Sequence, residues 1–240
     1  MSLPVISINE ADREKIDISR DIGKSCERYG FFIIKDHNLK ISTIENVRNL
    51  SKEFFSLSLE SKMKYHQVGG AGQRGYTPFG IEKAVNASSP DQKEFWHHGR
   101  SNWKKEYINT IPKNESVSEI ENFDQTLNDL FKDLDFLGKR ILTYISLYLN
   151  LNSDWFDKKI NQGNSILRLI HYPPTDKKNN GLRAGPHEDI NLITLLLGTQ
   201  QEAAQRISLL SLTTVISSHS IIFAWLLDNS KFTKFSLGAE

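Results

Sequence analysis

The chain has 240 residues, with 30 Lys+Arg against 29 Asp+Glu and a net charge of +1, so no charge excess marks a nucleic-acid binder or an acidic tail. Apolar residues at 38% and aromatics at 10% suffice for one ordinary domain with a sizeable core, which excludes a disordered chain. The single cysteine, Cys26, excludes a disulfide framework and a Cys-rich zinc site, and places the default compartment in a reducing cytosol. The first residues, MSLPVISINEADRE, carry acidic side chains and no long apolar core, so no signal peptide is expected.

In chain order, Leu3–Ile8 alternates apolar and polar residues and predicts a short strand. Asn9 is the expected cap of a helix running to about Tyr29, which Gly30 breaks. Phe31–Ile34 predicts a second strand, and the capping-box spacing of Ser42 and Glu45 opens a helix to about Phe55. The stretch GGAGQRG at 69–75 lacks a following Gly-Lys-Ser/Thr, so it predicts a plain turn rather than a phosphate cradle, entering an extended segment at Gly75-Tyr76-Thr77. Ser116 and Glu119 form another capping box. Behind it, apolar residues from Ile120 to Leu149 keep helical spacing and predict a long amphipathic helix that backs the core. Asp154–Ile160 predicts one or two helical turns. Ser165–Tyr172 predicts a strand stopped by Pro173-Pro174, and His187–Leu197 a strand with a polar head and an apolar tail.

His187-x-Asp189 carries the most chemistry. Residues i and i+2 of a strand share a face, so an imidazole and a carboxylate stand side by side. They supply two-thirds of the 2-His-1-carboxylate arrangement that holds Fe(II) with open positions. The tripeptide alone is weak, and by itself it reads equally as a polar junction between loop and strand. Arg168 alternates with Ile170 and Tyr172, so all three face one side of the predicted strand. Asn191 shares the parity of His187 and Asp189, and Glu188 opposes it. His97 and His98 are adjacent and diverge, which fits surface or packing roles; His171 faces away from Tyr172 toward core or groove; His37 and His66 are isolated.

The blocks LPVISI, YGFFIIKDH, RGYTPFGIE, DQKEFWHHGR, LRLIHYPPTD and RAGPHEDINLITLLLG, in this order, resemble the isopenicillin N synthase-like Fe(II)/2-oxoglutarate-dependent oxygenases. The resemblance covers about residues 3–200. It implies an α+β fold with a double-stranded β-helix (jelly-roll) core, an N-terminal strand/helix region and a long backing helix. It implies Fe(II) held by His187 and Asp189, and 2-oxoglutarate as cosubstrate, with Tyr172 donating to it; the strand alternation, not the resemblance, offers Arg168 either as a cosubstrate or substrate contact or as a surface or structural ion pair. O2 and a small-molecule substrate are the remaining partners, with succinate and CO2 released; among the relatives it suggests are ethylene-forming enzymes. The region Gly75–Glu82 and the region Trp96–Trp103 are expected to shape the substrate mouth. A zinc hydrolase using His187 and Asp189 lacks the further His or Glu cluster it needs.

The end departs from this pattern. The resemblance calls for a distal His and then an Arg-x-Ser, yet the only later histidine is His219 and no Arg follows Arg206. Residues 207–227 hold no Asp, Glu, Lys or Arg and no Gly, Pro or Asn, so several strands are not expected to reverse there easily. Three readings stand open: a shifted frame near residues 200–205, a membrane anchor close to spanning length, or a variant end of one or two helices on an incomplete sheet. The expected division is 1–115 for the N-terminal dioxygenase-type region, 116–200 for backing helix and first part of the core, and 201–240 for an aberrant tail. Two iron ligands and no late Arg predict weak or absent oxygenase activity, the alternative being a non-catalytic binding module of the same fold.

Overall fold

The fold is that of a computed structural model, which describes residues 3–11, 13–70, 72–83, 89–102, 111–161, 163–174 and 191–197, and the backbone of 209–216 and 223–226. Strand β1 (Val5–Ser7) leads to α1 (Lys15–Tyr29), β2 (Phe31–Lys35), α2 (Ile41–Ser56) and α3 (Leu59–Met63). Helix α1 starts at Lys15 rather than beside Asn9. The Asn9 side chain instead accepts from the Ala11 N–H at 3.2 Å and makes a local turn. The helix ends where Gly30 takes the left-handed φ of 67° and its N–H bonds the Cys26 carbonyl, a conformation open to glycine at little cost. Ser42 and Glu45 likewise do not form a cap, since α2 begins at Ile41 behind Lys40. Ile44, Val47, Ser51, Phe54 and Phe55 then turn one buried face inward.

Strands β3 (Gly75–Thr77) and β4 (Glu94–Gly99) precede α4 (Phe123–Tyr148), α5 (Asp157–Ile160) and β5 (Ile166–Tyr172). The Ser116–Glu119 spacing does not open α4. Ser116 Oγ bonds Asp124 at 2.6 Å, Glu119 pairs with Lys64 and accepts from Tyr65, and the helix starts behind Asn122 in the left-handed conformation. Once started, it buries Leu127, Leu130, Leu134, Leu137 and Ile141 on one face, as the spacing predicts. Gly23 of α1 lies against the Tyr148 ring, where an added Cβ would fall 2.1 Å from its nearest atom; this lets α1 and α4 approach closely.

Strands β6 (Ile193–Leu197), β7 (Leu209–Ile216) and β8 (Phe223–Leu226) complete an eight-stranded mixed sheet of order β1-β2-β8-β6-β7-β5-β4-β3. The last two strands correct the expectation drawn from the scarcity of turn residues. β7 runs antiparallel to β6 and β8 parallel to it on its other side, so β7 and β8 are not neighbours and no tight hairpin that demands Gly or Asn joins them. Thr, Val, Ile, Phe and Trp in these strands suit extended backbone. The membrane-anchor reading loses its helix in the same way, and among the described residues no helix is long and apolar enough to cross a membrane.

Period two divides the sheet into two faces. One face carries Ile6, Phe32, Ile34, Trp96, Leu167, Leu169 and Leu195, all buried in a single core with α1, α2 and α4. The opposite face carries Phe95, His97, Arg168, Ile170 and Tyr172, and no helix described here packs on it.

Candidate active site

Strands β4 and β5 pair antiparallel with His97 opposite Arg168 and Phe95 opposite Ile170. Cross-strand partners share a face, so these four side chains and Tyr172 project together. Arg168 is the hub. Its Nε donates to His97 Nε2 at 2.5 Å, and Nη2 and Nη1 donate to the two Glu82 oxygens at 2.9 and 3.4 Å. Its guanidinium lies 4.4 Å from the centre of the Phe95 ring. Lys93, just before β4, donates to Glu82 at 2.6 Å and to Asp91 at 2.8 Å.

Electrostatics follow from these contacts. Burial works against the Lys93 ammonium, but its bonds to Asp91 and Glu82 outweigh that and raise its pKa. Burial also opposes the Glu82 carboxylate, while Arg168 and Lys93 hold it below the ordinary range. Burial, then the Arg168 charge, drives His97 well below 6.5, so the imidazole is neutral. Its Nε2 accepts from Arg168, which leaves the proton on Nδ1 to donate to the Gly72 carbonyl. Burial raises the Tyr172 phenol, which lies within the field of Lys93, Asp91, Arg168 and Glu82 and stays a neutral donor. Among the described residues its hydroxyl has no hydrogen-bond partner.

The closed face holds a second polar set. Glu94 accepts from Lys62 at 2.8 Å and from Tyr76 at 2.5 Å, and pairs with His171 at 2.7 Å. His171 stacks on Phe55 with centroids 5.1 Å apart, which places it in the core as its parity predicts. Burial opposes the Glu94 charge, yet its three partners together lower its pKa.

The other predicted positions divide clearly. His187, Glu188, Asp189, His219 and Trp103 lie outside the described residues. Asn191 does not line the open face. It precedes β6 in a bend, and its amide donates to Thr194 Oγ1 at 2.6 Å and to the Ile193 carbonyl, a local cap at the strand start. Trp96 does not reach a mouth either; it packs edge-on to Phe54 and Phe123 in the core. His98 diverges from His97 and bonds Asn128 at 3.1 Å, while His66 meets the Tyr76 carbonyl at 2.9 Å. The glycine loop offers His97 a carbonyl at Gly72, as a plain turn does. Glu82 closes the Gly75–Glu82 region expected to shape the substrate mouth, whereas the sequence offers no pattern for Lys93 and Asp91. The one signal available was that RGYTPFGIE and DQKEFW flank the same strand pair.

The sequence model of the non-haem dioxygenase N-terminal family, named for morphine synthesis, matches residues 3–116. A 2OG-Fe(II) oxygenase family protein of Caulobacter crescentus superposes with a TM-score of 0.74 at 32% identity, over 90% of this chain and 81% of that one. The chain belongs to the 2OG-Fe(II) oxygenase family. A Neurospora crassa protein crystallised at full length with alpha-KG shares the oxygenase fold, with a TM-score of 0.70 at 24% identity over 89% of this chain and 72% of that one. The 1-aminocyclopropane-1-carboxylate oxidase of Dictyostelium mucoroides is 33% identical over 181 residues, 71% of this chain and 49% of that protein. The oxygenase chain thus spans about half the length of the curated relatives it matches. The α+β class and jelly-roll core expected from the resemblance hold, with the helices on one side of the sheet and the polar cluster on the other.

Proposed function

We propose that the chain is an Fe(II)- and 2-oxoglutarate-dependent oxygenase of a small molecule. The observation that supports it most is the pair of Arg168 and Tyr172 projecting together on the one sheet face that no described helix covers. Among the described residues no group of three or more His, Cys, Asp or Glu could hold a metal. The iron reading therefore rests on the donor chemistry of His187 and Asp189, an imidazole and a carboxylate suited to Fe(II) with open positions. When bound, iron, 2-oxoglutarate and O2 supply the oxidation, with succinate and CO2 as products.

The chain's own residues have narrower tasks. Tyr172 donates a hydrogen bond to the cosubstrate. Arg168, held in plane by His97 and Phe95, offers a fixed positive charge. The helix-backed core behind β4 and β5 keeps that face rigid, which is what precise positioning requires. A cytosolic location accords with the single Cys26, whose thiol burial pushes up to about 12, leaving it inert.

Anaerobic iron titration followed by oxygen uptake and succinate formation tests the reading. Iron bound stoichiometrically by the chain, and lost from His187→Ala and Asp189→Ala, is the expected result; a chain whose iron content ignores both substitutions sinks it. A narrower reading, ethylene formation from 1-aminocyclopropane-1-carboxylate, has the Dictyostelium likeness behind it and is tested by ethylene release from that amino acid.

A further inference from the structure

We infer that Arg168 and Lys93 form a receptor for one carboxylate of a small molecule, and that the Glu82 side chain is its resident occupant, exchanged for the ligand's carboxylate on binding. The inference rests on the oxygenase reading only for the ligand's source; the receptor itself stands on the contacts of the open face.

Donors converge at one point. The Arg168 fork and the Lys93 ammonium both bond the Glu82 carboxylate. Tyr172 projects from the same strand face as Arg168. A guanidinium fork matches a carboxylate in plane, and such charge-assisted pairs are the strong ones. The receptor is also held in shape without Glu82. His97 fixes the Arg168 Nε, the Gly72 carbonyl fixes His97, and the Phe95 ring supports the guanidinium.

Burial separates the permanent pair from the exchangeable one. Lys93 and Asp91 side chains are each only 5% exposed and stay together. Glu82 and Arg168 side chains are 33% and 24% exposed, so water and a ligand reach their contact. The Glu82 backbone is tied down through its carbonyl to the Asp91 N–H at 2.9 Å, and the nearby Gly80 N–H bonds the Lys93 carbonyl. Exchange thus needs rotation of one side chain and no movement of the loop. With Asp91 set against Lys93, removal of the Glu82 carboxylate leaves the Arg168 charge uncompensated among the described residues, which calls for one carboxylate and not two. That group has two sources, the far carboxylate of 2-oxoglutarate or a carboxylate of the oxidised substrate.

Calorimetric titration of metal-free full-length chain with succinate and with acetate tests the receptor, since neither probe has the keto acid that chelates iron. Glu82→Gln removes the internal competitor and keeps the side chain's shape. Its affinity for succinate should exceed that of the parent chain by about tenfold, the size of one charge-assisted contact. Adding Arg168→Gln to Glu82→Gln should abolish that gain, with near-ultraviolet circular dichroism confirming that both variants are folded. Equal affinity in parent, single and double variants overturns the proposal. With Fe(II) under nitrogen, loss of 2-oxoglutarate affinity in Arg168→Gln assigns the receptor to the cosubstrate; loss of succinate affinity with 2-oxoglutarate unchanged assigns it to the substrate. Absent oxygen uptake would sink the oxygenase reading and leave this binding result standing.

Discussion

On one side of the β4–β5 pair, Trp96, Leu167 and Leu169 are sealed beneath α2 and α4; on the other, half-buried Arg168 and Tyr172 lie beside a buried His97 and charged loop residues. Neighbouring residues of one strand therefore live in opposite environments. Polar groups occur on both sides, but their roles differ. The Glu94 set on the closed side ties α2 and α3 to the sheet, while the Arg168 set on the open side is positioned to meet a ligand. Substitutions on the closed side should appear in stability, and those on the open side in binding.

The contrast is broken most directly at Trp96. Trp96→Ala removes a fully buried ring from Phe54, Tyr65 and Phe123. It should cost about 4 kcal/mol in urea unfolding; a loss below about 1 kcal/mol would mean the closed side is not the core. Glu94→Gln should cost about 3 kcal/mol, because Lys62, with a 10% exposed side chain, is left without its buried counter-charge. Its pH profile sharpens the point. Glu94 has a lowered folded pKa, so its contribution is complete above its ordinary value of 4.5 and is lost as pH falls through the depressed one. The parent chain should lose stability on that acid limb, and the variant's limb should be flatter.

Gly75→Ala should cost about 2 kcal/mol by thermal unfolding. Gly75 has a φ of 71°, and an added Cβ would lie 2.3 Å from the Tyr65 carbonyl oxygen. Glu82→Gln closes the series, with less than about 1 kcal/mol lost in the same measurement because the ion pair is partly solvated. A larger loss would make Glu82 a structural staple and weaken the distinction between the faces.

Much of the fold was legible. The SILRLIHY run before two prolines gives β5 almost residue for residue, since proline cannot continue a ladder. The α4 periodicity named its buried stripe, but its start was misplaced because Ser116 and Glu119 spend their side chains on tertiary partners. Parity put Arg168 and Tyr172 on one face and His171 on the other, as observed. Lys93, Asp91 and Glu82 are not legible as a cluster, although Glu82 ends a stretch expected at the substrate mouth. They lie in the segments leading out of β3 and into β4, where no period applies, and only the fold over the sheet brings them to Arg168. The divergence of His97 from His98 and its packing role hold, though parity does not say which side of the sheet is the open one.

Strand β8 lies between β2 and β6, so Phe31 pairs with Phe223 across nearly the whole chain. A ribosome adding about 5–20 residues per second needs roughly 10–40 seconds to make what separates them. Throughout that interval β2 presents a bare, apolar edge to every other nascent chain nearby. Yield in cells should therefore depend on a chaperone that covers this edge during synthesis, more than on the final free energy of the finished sheet.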